Sequence, residues 1–240
     1  MITDHTVRAY DTELIELRQR IAEMGGLAEK MLSDAMQSLL KRDTTLAQTA
    51  IIADRRLDLL QREVEDKAVL TIAKRQPMAS DLREIISAMR LASDIERIGD
   101  LAKNIAKRVV AMNGEYPPLK VVFGAVNLST LVLAQLKDVL DAYSRRDLEL
   151  ATQVWKRDDE VDALYTSLFR ELLTYMMEDP RNITFCTHLL FCAKNIERIG
   201  DHATNIAETA HYLITGELLP VERPKADTTT LSPNQVAVET

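Results

Sequence analysis

Ile95-Glu-Arg-Ile-Gly-Asp100 returns letter for letter as Ile196-Glu-Arg-Ile-Gly-Asp201. Asn104-Ile-Ala106 follows the first copy and Asn205-Ile-Ala207 the second, each at the same distance. Upstream, Asp54-Arg-Arg-Leu-Asp58 is echoed by Asp158-Asp-Glu-Val-Asp162, and Pro77 by Pro180. The offset between copies shrinks from 104 to 103 to 101 along the chain, so the length differences fall in the connections. A duplicated unit explains this pattern, and chance does not.

The residues around each copy read as long helices. Val7, Tyr10, Leu14, Leu17, Ile21, Met24, Ala28, Met31 and Ala35 alternate spacings of three and four, the seam of a left-handed bundle helix. Gly25-Gly26 interrupts it off the seam, which predicts a bend or a close approach of another backbone. A second helix starts at Asp43-Thr44, carries Leu46, Ala50, Ala53, Leu57, Leu60, Val64 and Ala68, and ends before Pro77. Ser80 or Asp81 then caps a third, with Glu84 completing a capping box. Its apolar residues are Leu82, Ile86, Met89, Ile95, Ile98, Ala102 and Val109, and Asn113-Gly114 stops it.

The pattern then repeats. A fourth helix runs from about Leu119 to Tyr143, and the turn Ser144-Arg-Arg-Asp147 leads to a fifth ending before Pro180. A sixth runs from about Asn182 to Ile214. The predicted fold is all-α: two tandem three-helix bundles over residues 1–114 and 115–219, six long antiparallel helices with a pseudo-two-fold repeat. Residues 220–240, with Pro224, Pro233 and three successive threonines, show no periodicity and read as a disordered tail.

Composition agrees. Seven Gly and seven Pro in 240 residues cannot supply the turns of an all-β fold, and with 5% aromatics the core is aliphatic. The 30 basic residues against 37 acidic, with a pI near 5.2, disfavour nucleic-acid binding and a polybasic membrane patch. No apolar run reaches 18 residues and the first residues show no signal region, so the expectation is a cytoplasmic protein without membrane insertion. Cys186 and Cys192, six apart on one helix, are expected as reduced core thiols.

Four helices carry acids four residues apart: Asp54/Asp58, Glu96/Asp100, Asp158/Asp162 and Glu197/Asp201. That spacing puts both carboxylates of a pair on one helix face, where like charges destabilise by about 0.2–0.5 kcal/mol. Side-by-side packing of the helices would converge four carboxylates per half, with Asn104 or Asn205 one turn beyond, an oxygen-rich set suited to hard cations. Gly99 and Gly200, between the acids, would admit a neighbouring backbone or a ligand. The alternative is a solvated face paired with Arg97 and Arg198. Glu208-Thr-Ala-His211 has the spacing of di-iron bundle proteins, but it occurs once, and Lys107 stands in the other half, so the di-metal oxidase or ferritin-like class is the lesser alternative. No Gly-rich phosphate loop, nucleophile elbow or cysteine-pair zinc motif occurs, and a non-enzymatic role is expected.

The duplicated Glu-Arg-Ile-Gly-Asp, Ala73-Lys-Arg-Gln-Pro-Met-Ala-Ser-Asp-Leu-Arg83, Tyr175-Met-Met-Glu-Asp-Pro-Arg181, Met24-Gly-Gly26 and Leu140-Asp-Ala-Tyr143 together resemble the PhoU family of bacterial phosphate regulators, over roughly residues 5 to 217. The resemblance implies a flat, pseudo-symmetric molecule of two three-helix bundles, often a homodimer. It also implies metal binding by the four acidic motifs, at Asp54 and Asp58, Glu96 and Asp100, Asp158 and Asp162, and Glu197 and Asp201, all intact here. The metal could be Mg, Mn, Fe, Zn or Ca. In function it implies a negative regulator of phosphate uptake and of phosphate-regulon signalling, an adaptor between the ATPase of the phosphate ABC transporter and the sensor histidine kinase. Asp81 and Arg83, in the segment Ala79-Ser-Asp-Leu-Arg83, and Arg145 and Asp147, in the turn from Asp141 to Asp147, are the candidate partner contacts.

Overall fold

The computed structural model describes residues 2–112, 114 and 119–219, with side chains from Tyr10 onward. Those residues form seven α-helices: α1 (Ile2–Lys41), α2 (Thr44–Arg75), α3 (Ala79–Ala111), α4 (Leu119–Arg145), α5 (Leu148–Lys156), α6 (Asp158–Glu178) and α7 (Ile183–Thr215), with a 3-10 turn at Pro180–Asn182. The side chain of Val7, together with Asn113, Pro117-Pro118 and the tail from 220 to 240, lies outside the described residues.

The α1 seam packs as its spacing requires. Leu14, Leu17, Ile21, Met24, Ala28, Met31 and Ala35 are all buried, and α1, α2 and α3 pack on one another. In the second half α4, α5 and α6 gather around α7. The halves are joined by α3 against α7 and α1 against α4, and the buried apolar side chains form one continuous cluster across that join. Gly25 is what lets α4 approach α1: a Cβ there would lie 2.7 Å from Leu140 Cδ1. Among the described residues α4 alone is long and apolar enough to cross a membrane by length and composition; here Val121, Val122, Ala125, Leu128, Val132, Leu136 and Val139 are buried in the core.

The two half-entry turns use one device. Arg42 and Arg146 both take a left-handed conformation, at φ 58° and 54°. The next N–H, of Asp43 or Asp147, then reaches back 2.9 Å to the carbonyl of Ser38 or Ala142. Asp43 caps the N–H groups of Thr45 and Leu46, and Asp147 that of Leu150, contacts that contribute about 1 kcal/mol each. The repeat therefore extends to the Arg-Asp pair in each turn.

Three expectations need correction. The fifth helix is two helices, because Arg157 leaves helical geometry (φ −91°, ψ 8°) and α6 begins afresh at Asp158. The third helix starts at Ala79, its N-cap is Met78, and no side chain caps it. The expected capping box does not form, since Glu84 turns inward to two arginines instead of back to the helix end. On the same helix Leu82 is 37% exposed while Ile85 and Ala88 are buried, because α3 packs against α7 as well as α1 and α2 and its apolar face is wider than one seam.

Candidate functional site

The acidic motifs lie where neighbouring helices of each half face one another. In the first half, Asp54 and Asp58 come from α2 and Glu96 and Asp100 from α3. Gly99 makes the close packing possible, since a Cβ there would collide with the side chain of Leu57, which is itself fully buried. In the second half, Asp158 and Asp162 come from α6 and Glu197 and Asp201 from α7, with Val161 Cγ1 3.2 Å from where a Cβ on Gly200 would stand. Both glycines admit a neighbouring apolar side chain, which is a packing reason for glycine at each position.

The carboxylates of each half feel one another. Burial pushes the Glu96 carboxyl above the usual range, and the charges of Asp100 and Asp58 push it the same way while Arg97 opposes. Burial likewise raises Glu197, with Asp201 and Asp162 adding to the rise and Lys194 opposing it. Those like charges should repel, so each set needs a cation.

In the first half that cation is Lys103, which the acidic spacing alone did not single out. Its Nζ lies 2.6 Å from Asp54 Oδ2 and 2.5 Å from Asp100 Oδ1, bridging α2 and α3. Its two carboxylate bonds outweigh the desolvation that opposes its charge, and its pKa is raised. Arg97, 61% exposed, stays at the rim, 3.7 Å from Glu96 and 3.8 Å from Asp100. A lysine three residues beyond the last acid, on the same helix face, was the available signal.

The second set is more deeply placed, with Asp158, Asp162 and Glu197 buried. Thr204 Oγ1 donates to Asp158 Oδ1 at 2.9 Å, and Lys194 Nζ is 2.8 Å from Glu197 Oε1. Glu197 Oε2 is buried and finds no hydrogen-bond partner. Such an atom carries a desolvation cost that a bound cation would relieve. The all-oxygen donor set therefore fits a hard cation in kind, although among the described residues no three His, Cys, Asp or Glu side chains converge on a single ion-sized position.

The two asparagines diverge. Asn104 is exposed on α3, whereas Asn205 Nδ2 donates to Asp94 Oδ1 at 3.3 Å. His202 Nδ1 lies 2.9 Å from the same Asp94 oxygen, so this residue of α3 ties α7 to the first half. Glu208 and His211 are engaged elsewhere. Trp155 Nε1 donates to Glu208 Oε1 at 3.2 Å, and His211 Nδ1 sits 3.1 Å from the Glu217 carbonyl.

Beside the candidate partner contacts Arg83 and Arg145, their chain neighbours Glu84 and Arg146 meet. Glu84, buried, meets Arg18 Nε at 2.5 Å and Arg146 Nη2 at 2.6 Å, and this triad ties α3 to α1 and to the turn after α4. Beside it a cleft of about 460 Å³ is lined by Arg18, Glu84, Tyr143, Arg145 and Arg146. Arg145 pairs with Asp141 at 3.2 Å. Arg83 lies over the Tyr212 ring and against Gly216, Asp81 sits in the first turn of α3, and Asp147 is an exposed helix cap.

The family model described as the PhoU domain matches the chain twice, over residues 21–109 and 126–210. The chain is 60% identical over 225 residues to the phosphate-specific transport system accessory protein PhoU homolog of Rhizobium meliloti, covering 94% of this chain and 95% of that one. The crystal structure of PhoU from Pseudomonas aeruginosa superposes with a TM-score of 0.81 at 39% identity, covering 87% of this chain and all of the other. That of the phosphate transport system regulatory protein PhoU from Streptococcus pneumoniae also gives 0.81, at 31% identity, covering 88% of this chain and all of the other.

Proposed function

The chain belongs to the PhoU family, and on that premise we propose that it is an accessory protein of phosphate-specific transport and a negative regulator of phosphate uptake and phosphate-regulon signalling. The observation that carries this reading is the double match of the family domain to the two halves, each with both acidic motifs intact. The relatives' names supply the link to phosphate transport and its regulation.

In this reading the protein is a cytoplasmic, non-enzymatic adaptor, working as a homodimer between the transporter ATPase and the sensor histidine kinase. A duplicated bundle offers two similar faces, which suits a molecule that must meet two partners. Asp81 and Arg83 near the start of α3, and Arg145 and Asp147 around the turn after α4, are the candidate contact residues.

We also propose that the acidic clusters take up a divalent or iron cation, Mg, Mn, Fe, Zn or Ca. Asp54, Asp58, Glu96 and Asp100, and Asp158, Asp162, Glu197 and Asp201, would supply the oxygens, with Asn104 and Asn205 as outer candidates. Such a cation would neutralise converging carboxylates and cross-link the helices that carry them.

The experiment is alkaline phosphatase activity in phosphate-replete cells with the gene intact and with it deleted. High activity in the deletion strain alone supports the regulator. Unchanged repression in that strain overturns it.

A further inference from the structure

Among the described elements α2 packs only on α1 and α3, which leaves its outer face without a neighbour. On that face Ile52, Leu59 and Val69 are 65%, 51% and 60% exposed. They belong to a second seam. Ile52, Leu59, Asp66 and Ala73 recur every seven residues, and Arg55, Arg62 and Val69 follow the first three of them at a spacing of three. That is the pattern of a helix that packs against another helix, and all seven residues are exposed.

The charges on this seam are unused. Arg55, Arg62 and Asp66 form no ion pair among the described residues, whereas the adjoining Arg56 and Lys67 are paired with Glu23 and Glu16 on α1. The second half lacks the same face. At the offset that relates Asp54 to Asp158, Ile52 becomes Lys156, Leu59 becomes Ala163 and Asp66 becomes Arg170, with only Val69 kept apolar, as Leu173. Packing inside a half therefore does not require the exposed Ile52 and Leu59.

We propose that the outer seam of α2 is an interface between two copies of the chain, in which α2 lies antiparallel to the partner's α2. The inference rests on the homodimer reading given above and assigns its surface.

The sequence of the seam selects the orientation. A two-fold pair is self-complementary, so each residue meets its counterpart on the same patch. Parallel helices would set Arg55 against Arg55, Arg62 against Arg62 and Asp66 against Asp66, all like charges. Antiparallel helices with the two-fold axis between residues 60 and 61 set Ile52 against the partner's Val69 and Arg55 against the partner's Asp66. Leu59 then lies on the aliphatic stem of the partner's Arg62, whose guanidinium reaches the rim. Residues 46–75 overlap in this register, about 45 Å of helix. A slip of one heptad in either direction shortens the overlap and takes Ile52 away from its apolar counterpart.

The test is sedimentation of the purified full chain over a range of concentrations, with circular dichroism to follow folding. The wild type is expected in a monomer–dimer equilibrium. Arg55→Asp and Asp66→Arg each place like charges opposite one another twice per dimer, and each should weaken association roughly tenfold or more. Arg55→Asp/Asp66→Arg reinstates opposite charges in that register and should return association close to the wild-type value. Ile52→Lys, which copies Lys156, should also weaken it, and Arg170→Asp on α6 should not. All these positions are exposed, so the variants are expected to fold.

A dimer that none of the α2 substitutions weakens would overturn the inference and leave the homodimer reading standing. Losses in the single variants without recovery in the double variant would overturn the antiparallel register. A wild type that stays monomeric at every concentration would overturn both the inference and the homodimer reading.

Discussion

Gln135, buried on α4, donates its Nε2 to the carbonyl of Arg157 at 2.9 Å. That carbonyl belongs to the residue where α5 ends and α6 begins. The break sets Asp158 at the start of α6, with Asp158, Asp159 and Glu160 in its first turn, where negative charge meets the positive end of the helix dipole. Gln135→Leu removes one of the two donors to that carbonyl, which also accepts from Glu160 N at 3.2 Å, and the expected cost is about 1 kcal/mol of stability. Urea unfolding of the variant and the wild type checks it. An unchanged midpoint would mean that water replaces the amide.

Gly99 and Gly200 hold the same place in the two copies but should answer differently to alanine. At Gly99 the new methyl runs into Leu57, which is fully buried, so overpacking should cost about 1–3 kcal/mol and exceed the gain of up to about 1 kcal/mol in helix propensity. At Gly200 the nearest atom, Val161 Cγ1, is 3.2 Å away and needs to yield by only a few tenths of an ångström. Gly200→Ala is expected to lie within about 1 kcal/mol of the wild type. Thermal midpoints of the pair give the comparison directly. Equal losses would show that both packings are equally rigid.

The architecture was legible where a residue pattern has one physical cause. Leu14, Leu17, Ile21 and Met24 recur at bundle spacing because one face of α1 is buried, and the exact repeat of Ile-Glu-Arg-Ile-Gly-Asp marked two units before any helix was placed. The break at Arg157 was not legible from turn residues, since Val154-Trp-Lys-Arg-Asp158 holds neither Gly nor Pro. A side chain 22 residues upstream bonds the carbonyl at the break, and only the three successive acids hinted at a helix start. The acidic pairs were plain from i, i+4 spacing, and the structure brings them face to face between neighbouring helices. Which cation meets each set depends on Lys103 and Lys194, whose side chains could as well have pointed to water. Glu84 shows the same limit: local spacing suggested a cap, but arginines 66 and 62 residues away hold it.

Glu84→Gln tests that triad. Arg18 and Arg146 are each about half exposed, so losing the carboxylate charge leaves two cations that water can solvate. The glutamine, still buried, keeps weaker hydrogen bonds. The expected loss is about 1–2 kcal/mol, and it should shrink in high salt if screened attraction supplies much of it. Arg146→Ala removes only one arm and should cost less, about 1 kcal/mol or below. Chemical denaturation at low and high NaCl separates the cases. Equal effects of the two substitutions would mean that Glu84 acts through Arg146 alone.

His188 on α7 gives the clearest pH dependence. Burial lowers its pKa below the ordinary 6.5, and the nearby Arg108 guanidinium lowers it further. Its Nδ1 is buried with no hydrogen-bond partner, so the fold holds the ring neutral. As pH falls through 6.5 or so, the unfolded chain takes up a proton that the folded chain refuses, and the unfolded state gains. Stability from this residue is therefore full above that value and declines as pH drops toward the lowered folded pKa. His188→Gln cannot titrate and should flatten this part of the curve, whatever its offset at neutral pH. Urea midpoints at pH 7.5, 6.5 and 5.5 measure the slope. Parallel curves for the variant and the wild type would assign the acid sensitivity to the carboxylates instead.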